Sequence, residues 1–286
     1  METSDPDDVL ALALLADHPA VDLLAVTINP GTFAQISVVA EVLSRVGSKP
    51  LPIGARNPKS DKVAVSAFHD EWLGSLPPRQ PDAVASDLLI ETFGAYPSAV
   101  LLTGAPLHNL RLALRANPTF AIQRWVTQGG FAGDNLVRPE DRLEKFAGKP
   151  TCESHNFGVD AKGTMLAITS PQIVRRELVS KNVTHGFAWD AAFHGEVKPY
   201  CTQRAGIAVA HDAMSRYLEL YGTGKLLHDP LAAIAIYNPE VFEWAEVEVY
   251  KEQGRWGARA ANDTSTFITT ALHRERVLSA LVGSHD

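Results

Sequence analysis

The sequence predicts an α/β fold: an open, largely parallel central sheet flanked by helices. Two observations carry this expectation. Short apolar runs of strand length alternate with longer segments of helical apolar spacing. Polar and glycine-rich residues collect just after the strand-like runs, where open α/β sheets bind their ligands. No internal repeat, low-complexity tract or linker breaks the pattern, so residues 1–286 are expected to form one domain.

Taken in order, residues 9–16 are apolar at nearly every position and far too short to cross a bilayer, which predicts a buried helix. Residues 21–27 predict a buried strand, closed by the turn residues Asn29, Pro30 and Gly31. Thr32 then caps a helix that runs through Val46. Residues 51–54 form a short strand. Residues 99–103 form another, broken at Gly104-Ala105-Pro106 before a helix through Ala116. A fourth strand, 125–128, ends at Gly129-Gly130, and a fifth, 174–183, carries Thr184 and His185 at its end. Asp229-Pro230 opens a helix through Tyr237, and residues 245–250 alternate like an exposed-edge strand. Residues 136–152 are charged and lack periodicity, which predicts a long loop or lid.

Bulk chemistry narrows the function classes. A formal charge of −7 argues against a nucleic-acid or anionic-membrane surface. Two cysteines, Cys152 and Cys201, make neither a disulfide framework nor a Cys-based zinc site, and a cytoplasmic location fits them. No basic segment precedes an apolar one at the start, so no signal peptide is expected. The chain opens on Met1-Glu2-Thr3 with no apolar strand ahead of its first charged cluster. Either the fold begins there or the natural protein carries residues before Met1.

That cluster, Asp5-Pro6-Asp7-Asp8, stands directly before the apolar helix. One reading is helix punctuation: Ser4 and Asp7 match a capping box, Pro6 suits the first turn, and acids there complement the helix dipole. Against it, a cap needs one carboxylate and this segment has three. Three carboxylates repel, and at a buried helix end they become favourable only when a hard cation neutralises them.

Further along lie LLTGAPLHNL (101–110), TQGGFAGDN (127–135), SHNFGVD (154–160), VTH (183–185) and HDPLAAIAIYNPEVF (228–242). With the acidic cluster, their order and spacing resemble the inosine–uridine-preferring nucleoside hydrolase family, Ca²⁺-dependent nucleoside N-ribohydrolases with a Rossmann-like fold. The resemblance implies an enzyme of nucleoside salvage, a homodimer or homotetramer, that cleaves small-molecule ribonucleosides to base and ribose. By resemblance, Asp8 matches a bidentate Ca²⁺ ligand, and Asp7 the base acting on the Ca²⁺-bound water. Asp229 matches a distant metal ligand, and aligning on Asn109 makes the Leu102 carbonyl another. His228 matches the histidine beside the leaving base, Asn156 a ribose-binding asparagine, and His69 a residue lining the base pocket.

The pattern departs from the family in places. Its first two signature aspartates fall at Met1, Glu2 and Thr3, so Asp5 is favoured as the first metal ligand with Glu2 as its rival. Thr32 stands at a ribose-contacting asparagine, and Ser154 stands at a glutamate that Glu153 adjoins. Gln128 replaces a methionine, and the 136–152 loop is longer than usual. The changes at Thr32, Ser154, Gln128 and the 136–152 loop touch the substrate shell rather than the metal core, so a modified nucleoside, another ribosyl compound, or nucleoside binding without turnover stay open as alternatives.

Overall fold

The apolar segment after the acidic cluster folds into the helix Pro6–Ala16, and its residues 6–15 are all buried. A helix with no polar face has to be packed on every side, and this one is held between the helices Phe33–Val46, Ala205–Tyr221 and His228–Tyr237. The computed structural model describes residues 1–283. Its strands, in chain order, are β1 (Val26–Ile28), β2 (Ile53–Ala55), β3 (Ala83–Val84), β4 (Val100–Thr103), β5 (Ile122–Gln128), β6 (Ile173–Val179), β7 (Ala188–Trp189), β8 (Lys225–Leu226), β9 (Phe242–Glu252), β10 (Arg255–Ala260) and β11 (Thr266–Leu272).

The largest sheet has the order β10-β9-β11-β6-β5-β4. Within it β4, β5, β6 and β11 are parallel, while β9 and β10 extend it antiparallel. A second sheet, β1-β2-β3, is all parallel, and β7 and β8 form an antiparallel ribbon. The expected α/β fold with a largely parallel sheet and flanking helices is therefore present.

Three elements differ from expectation. Of the 21–27 run only Val26 and Thr27 pair as a strand, which continues to Ile28, because β2 offers a partner just over Ile53–Ala55. The 174–183 run ends as a strand at Val179. There the Ser180 N–H and hydroxyl bond to Thr269 of β11, and a short helix, Lys181–Thr184, takes over; Thr184 and His185 thus end a helical turn rather than a strand. The 245–250 run lies inside the longer β9, which is no edge: it sits between β11 and β10, and β10 takes the outside position.

β1 pairs with β2 alone and β4 with β5 alone among the described residues, so each keeps one open edge. A cavity of about 310 Å³ is lined by both edges, through residues 20–27 and 99–102, with Asp8, Gly104 and Asp229 on its wall. Met1 lies along the open edge of β1. Its ammonium donates to the Thr27 carbonyl (2.8 Å) and its carbonyl accepts from Asn29 N–H (3.0 Å), the bond pair of a parallel neighbour.

Candidate active site

The acidic cluster does not cap its helix. Asp5 occupies the N-cap position in extended conformation, but its carboxylate makes no capping bond. Instead Asp5 Oδ1 pairs with Lys225 Nζ at 2.7 Å, and Asp7 Oδ1 lies 3.4 Å from the same ammonium. Asp7 Oδ2 accepts a hydrogen bond from the Asp229 N–H at 3.0 Å, which ties the start of the chain to the first turn of the helix His228–Tyr237. Asp8 Oδ1 accepts from Glu2 N–H at 3.1 Å, and the Asp8 and Asp229 side chains share a hydrogen bond. The Asp229 carboxylate rests on Gly104, where a Cβ would stand 2.5 Å from both of its oxygens. Only glycine admits that approach at the end of β4.

Asp7, Asp8 and Asp229 are 2%, 4% and 8% exposed, so their ionisation is governed by burial. Burial raises Asp7 to about 6, against the pull of the Lys225 ammonium. It lifts Asp8 and Asp229 well above the usual carboxylate range, with repulsion from Asp229 adding at Asp8 and repulsion from Asp7 adding at Asp229. Burial opposes the charge of Lys225, yet Asp7 and Asp5 outweigh it and its pKa is raised overall. Burial likewise lowers the Met1 ammonium, which faces Asp8 and Asp229.

Asp8, Asp229 and Leu102 line one cavity, which brings two carboxylates to one place. Two buried carboxylates that share a hydrogen bond cannot both ionise unaided, and an all-oxygen donor set suits a hard cation. The side chains alone do not complete a cage: among the described residues no three His, Cys, Asp or Glu side chains converge as a cation site. The reason is visible at the two candidates for the first ligand. Asp5 is engaged by Lys225, and Glu2 Oε1 lies 3.2 Å from His155 Nε2.

A hydrogen-bonded line runs from His228 toward the glycine pair after β5. His228 Nδ1 lies 3.0 Å from Thr184 Oγ1; Gln128 Nε2 lies 3.5 Å from the same hydroxyl; and Asn156 Nδ2 donates to Gln128 Oε1 at 2.9 Å. Three separated motifs, 127–135, 154–160 and 183–185, thereby join the late histidine. Burial lowers His228 to about 4, helped by the Lys225 cation, so its imidazole is neutral at pH 7. The His185 ring lies 4.6 Å from the His228 ring, and burial followed by His228 depresses it to about 3.

The remaining sequence candidates lie in differing surroundings. His69 is buried beside Phe68, and burial brings it to about 4. Thr32 caps Phe33–Val46 in a full capping box with Gln35, its hydroxyl accepting the Gln35 N–H. Glu153 is exposed, and its carbonyl accepts from Lys181 Nζ at 2.8 Å. Ser154, beside it, is buried with its hydroxyl on Gly130 N–H (3.3 Å). Lys225 is the component that sequence reasoning missed. A lone lysine in a two-residue strand has no spacing signal; its place three residues before His228 was the sole clue.

Residues 4–279 match the family model for inosine-uridine preferring nucleoside hydrolases. An uncharacterized protein of Aquifex aeolicus (strain VF5) is 28% identical, over 97% of this chain and 94% of its own length. Among known structures, a plant nucleoside hydrolase superposes with a TM-score of 0.69 at 22% identity, covering 97% of this chain and 95% of that one. The inosine-uridine preferring nucleoside hydrolase of Bacillus anthracis gives 0.71 at 16% identity, covering 98% and 96%. The purine-preferring ribonucleoside hydrolase of Gardnerella vaginalis gives 0.69 at 17%, covering 98% and 94%. The structural likenesses establish a common fold, and the sequence match spans the acidic cluster and the His228-Asp229 pair alike: the chain belongs to the inosine–uridine-preferring nucleoside hydrolase family.

Proposed function

We propose that this enzyme hydrolyses the N-glycosidic bond of ribonucleosides to free base and ribose, with Ca²⁺ as cofactor and Asp7 as the base that activates water. The observation that supports it best is the meeting of both chain ends: Asp7 accepts from the Asp229 backbone while Asp8 and Asp229 share a buried hydrogen bond. Gathering acids out of water costs free energy that a purely structural corner would avoid.

Asp8, Asp229 and the Leu102 carbonyl would hold the Ca²⁺, with Asp5, or Glu2 as its rival, supplying a further oxygen. Bound there, the ion supplies fixed positive charge that organises oxygen ligands, the ribose hydroxyls among them. The water oxygen attacks the anomeric carbon and its proton passes to Asp7. The bond from that carbon to the base nitrogen breaks, and its electron pair leaves with the base. His228, with Nδ1 3.0 Å from Thr184 Oγ1, would steady the departing base by a hydrogen bond from Nε2, and the base takes up a proton from solvent as Asp7 releases the one it took. The sugar passes through an oxocarbenium-like state, which the buried carboxylates favour. On this reading Asn156 and Glu153 contribute to the ribose shell, as does Thr32 through the O–H that its capping bond from Gln35 leaves able to donate, and His69 to the base pocket. The same reading places a homodimer or homotetramer in cytoplasmic nucleoside salvage.

The test is release of reducing sugar from inosine, uridine, adenosine and cytidine by the purified protein with Ca²⁺. Release from at least one, lost on chelation and restored by Ca²⁺, is expected. Silence across the panel with metal bound overturns the proposal.

A further inference from the structure

The charged 136–152 segment packs on the His228 side of the site through His185. It contains two short 3-10 turns, Pro139–Asp141 and Glu144–Phe146, and Phe146 anchors it. The buried Phe146 ring meets Phe131 at 5.2 Å and His185 at 5.4 Å, edge to face in both cases. Around that ring stand three ammonium groups: Nζ of Lys145, Lys149 and Lys181, at 5.1, 6.0 and 5.9 Å from its centroid. Lys145 Nζ also lies 2.6 Å from His185 Nδ1, and His185 packs on His228, so the cluster reaches the leaving-group histidine through one ring.

What sets these lysines apart is that three ammonium groups gather around one ring with no carboxylate among them. Among the described residues, none of the three has a carboxylate within 4.0 Å; Lys149 and Lys181 turn instead to the carbonyls of Lys145 and Glu153. Burial, with Lys181 and Lys149 adding repulsion, lowers the pKa of Lys145. Three cations held together unpaired repel one another, and a bound anion reverses the sign of that interaction.

We infer that Lys145, Lys149 and Lys181 form the recognition site for an anionic substituent, phosphate or carboxylate, on the ribosyl substrate, so that this hydrolase prefers negatively charged nucleosides over neutral ones. The inference rests on the hydrolase reading above and names its substrate class. The negative group can be carried by the sugar, as a 5′-phosphate, or by the base, as a carboxylate.

The experiment compares kcat/KM for uridine, uridine 5′-monophosphate and uridine with a 6-carboxylate, using the full chain with Ca²⁺ and a Lys145→Met/Lys181→Met double variant. At least one anionic substrate is expected to exceed uridine by 10-fold or more, on the order of one charge-assisted pair, and which one exceeds it identifies the source of the charge. The double variant should lose that advantage while cleaving uridine within about 2-fold of the parent, a margin far below the effect of one such pair. Uridine cleaved as well as both anions, or an anion preference that survives in the double variant, overturns the inference and leaves the hydrolase reading intact. No hydrolysis of any of the three overturns both.

Discussion

Replacing Gly104 with alanine puts a methyl group where Asp229 already is. The added carbon would stand 2.5 Å from both carboxylate oxygens and 2.6 Å from Cγ. Non-bonded heavy atoms settle at roughly 3.5 Å, so the carboxylate has to shift by about 1 Å. It cannot retreat freely, because Asp229 sits in the first turn of a helix whose residues 229–235 are all buried. A misplacement of about 1 Å costs on the order of 10²-fold in rate, or about 2.7 kcal/mol of transition-state stabilisation. Stability should fall less, by about 1–3 kcal/mol for overpacking. The assay is kcat/KM on the best nucleoside at saturating Ca²⁺, with thermal unfolding followed in parallel. Gly94→Ala is the control, since a Cβ there meets nothing within 4 Å. A Gly104→Ala enzyme that keeps its activity and its Ca²⁺ affinity would refute the reasoning that Asp229 is held by that contact.

Three further outcomes follow from other parts of the fold. Arg124 donates to the carbonyls of Ala235 and Ile236 at 2.7 Å each and pairs with the buried Glu177, so it clamps the end of the Asp229 helix. Arg124→Gln should cost about 2 kcal/mol in urea unfolding, and a loss below about 0.5 kcal/mol would remove the clamp. His69 is buried with its pKa lowered to about 4, so the fold holds it neutral while the unfolded chain protonates near 6.5. Its contribution is therefore fully present above pH 6.5 and is lost progressively down to about 4. Between pH 8 and 5 that is about 2 kcal/mol; the stability difference over this interval should shrink by that amount in His69→Gln, and identical pH slopes would contradict it. Finally, four apolar residues placed ahead of Met1 would continue its pairing with β1 into the cavity between the open edges of β1 and β4. The melting temperature should rise by at least about 3 °C over a charged extension of equal length, and equal values would show that the cavity does not take a strand.

Legibility from sequence followed the locality of each signal. The helix Phe33–Val46 was bounded correctly because Thr32 and Gln35 cap one end within four residues, and Gly47, at φ +73°, ends the other. Strand limits depend on distant partners. Nothing between 174 and 183 announces that Ser180 will bond to Thr269, and nothing in 245–250 reveals that β10 will cover its outer side. In the site, the Asp7-Asp8 pair and Asp229 were legible because acids in helix first turns stand out against apolar runs, and the fold brings them together. Lys225 was not legible, since its meaning lies in carboxylates at the opposite end of the chain. Thr32 shows a purely local signal: its spacing to Gln35 marks the helix start, and its hydroxyl accepts the Gln35 N–H.

Asp7 is the residue on which the proposed hydrolysis most directly depends. Its carboxylate is held by the Asp229 N–H and the Lys225 ammonium, and asparagine at that position keeps the shape and the acceptor while losing the base. Turnover of the best nucleoside by Asp7→Asn, measured as reducing sugar at saturating Ca²⁺ beside a melting curve, is the decisive measurement. A rate at least 10³-fold below the parent enzyme, with the fold retained, is expected. Turnover within a few-fold of the parent would contradict it.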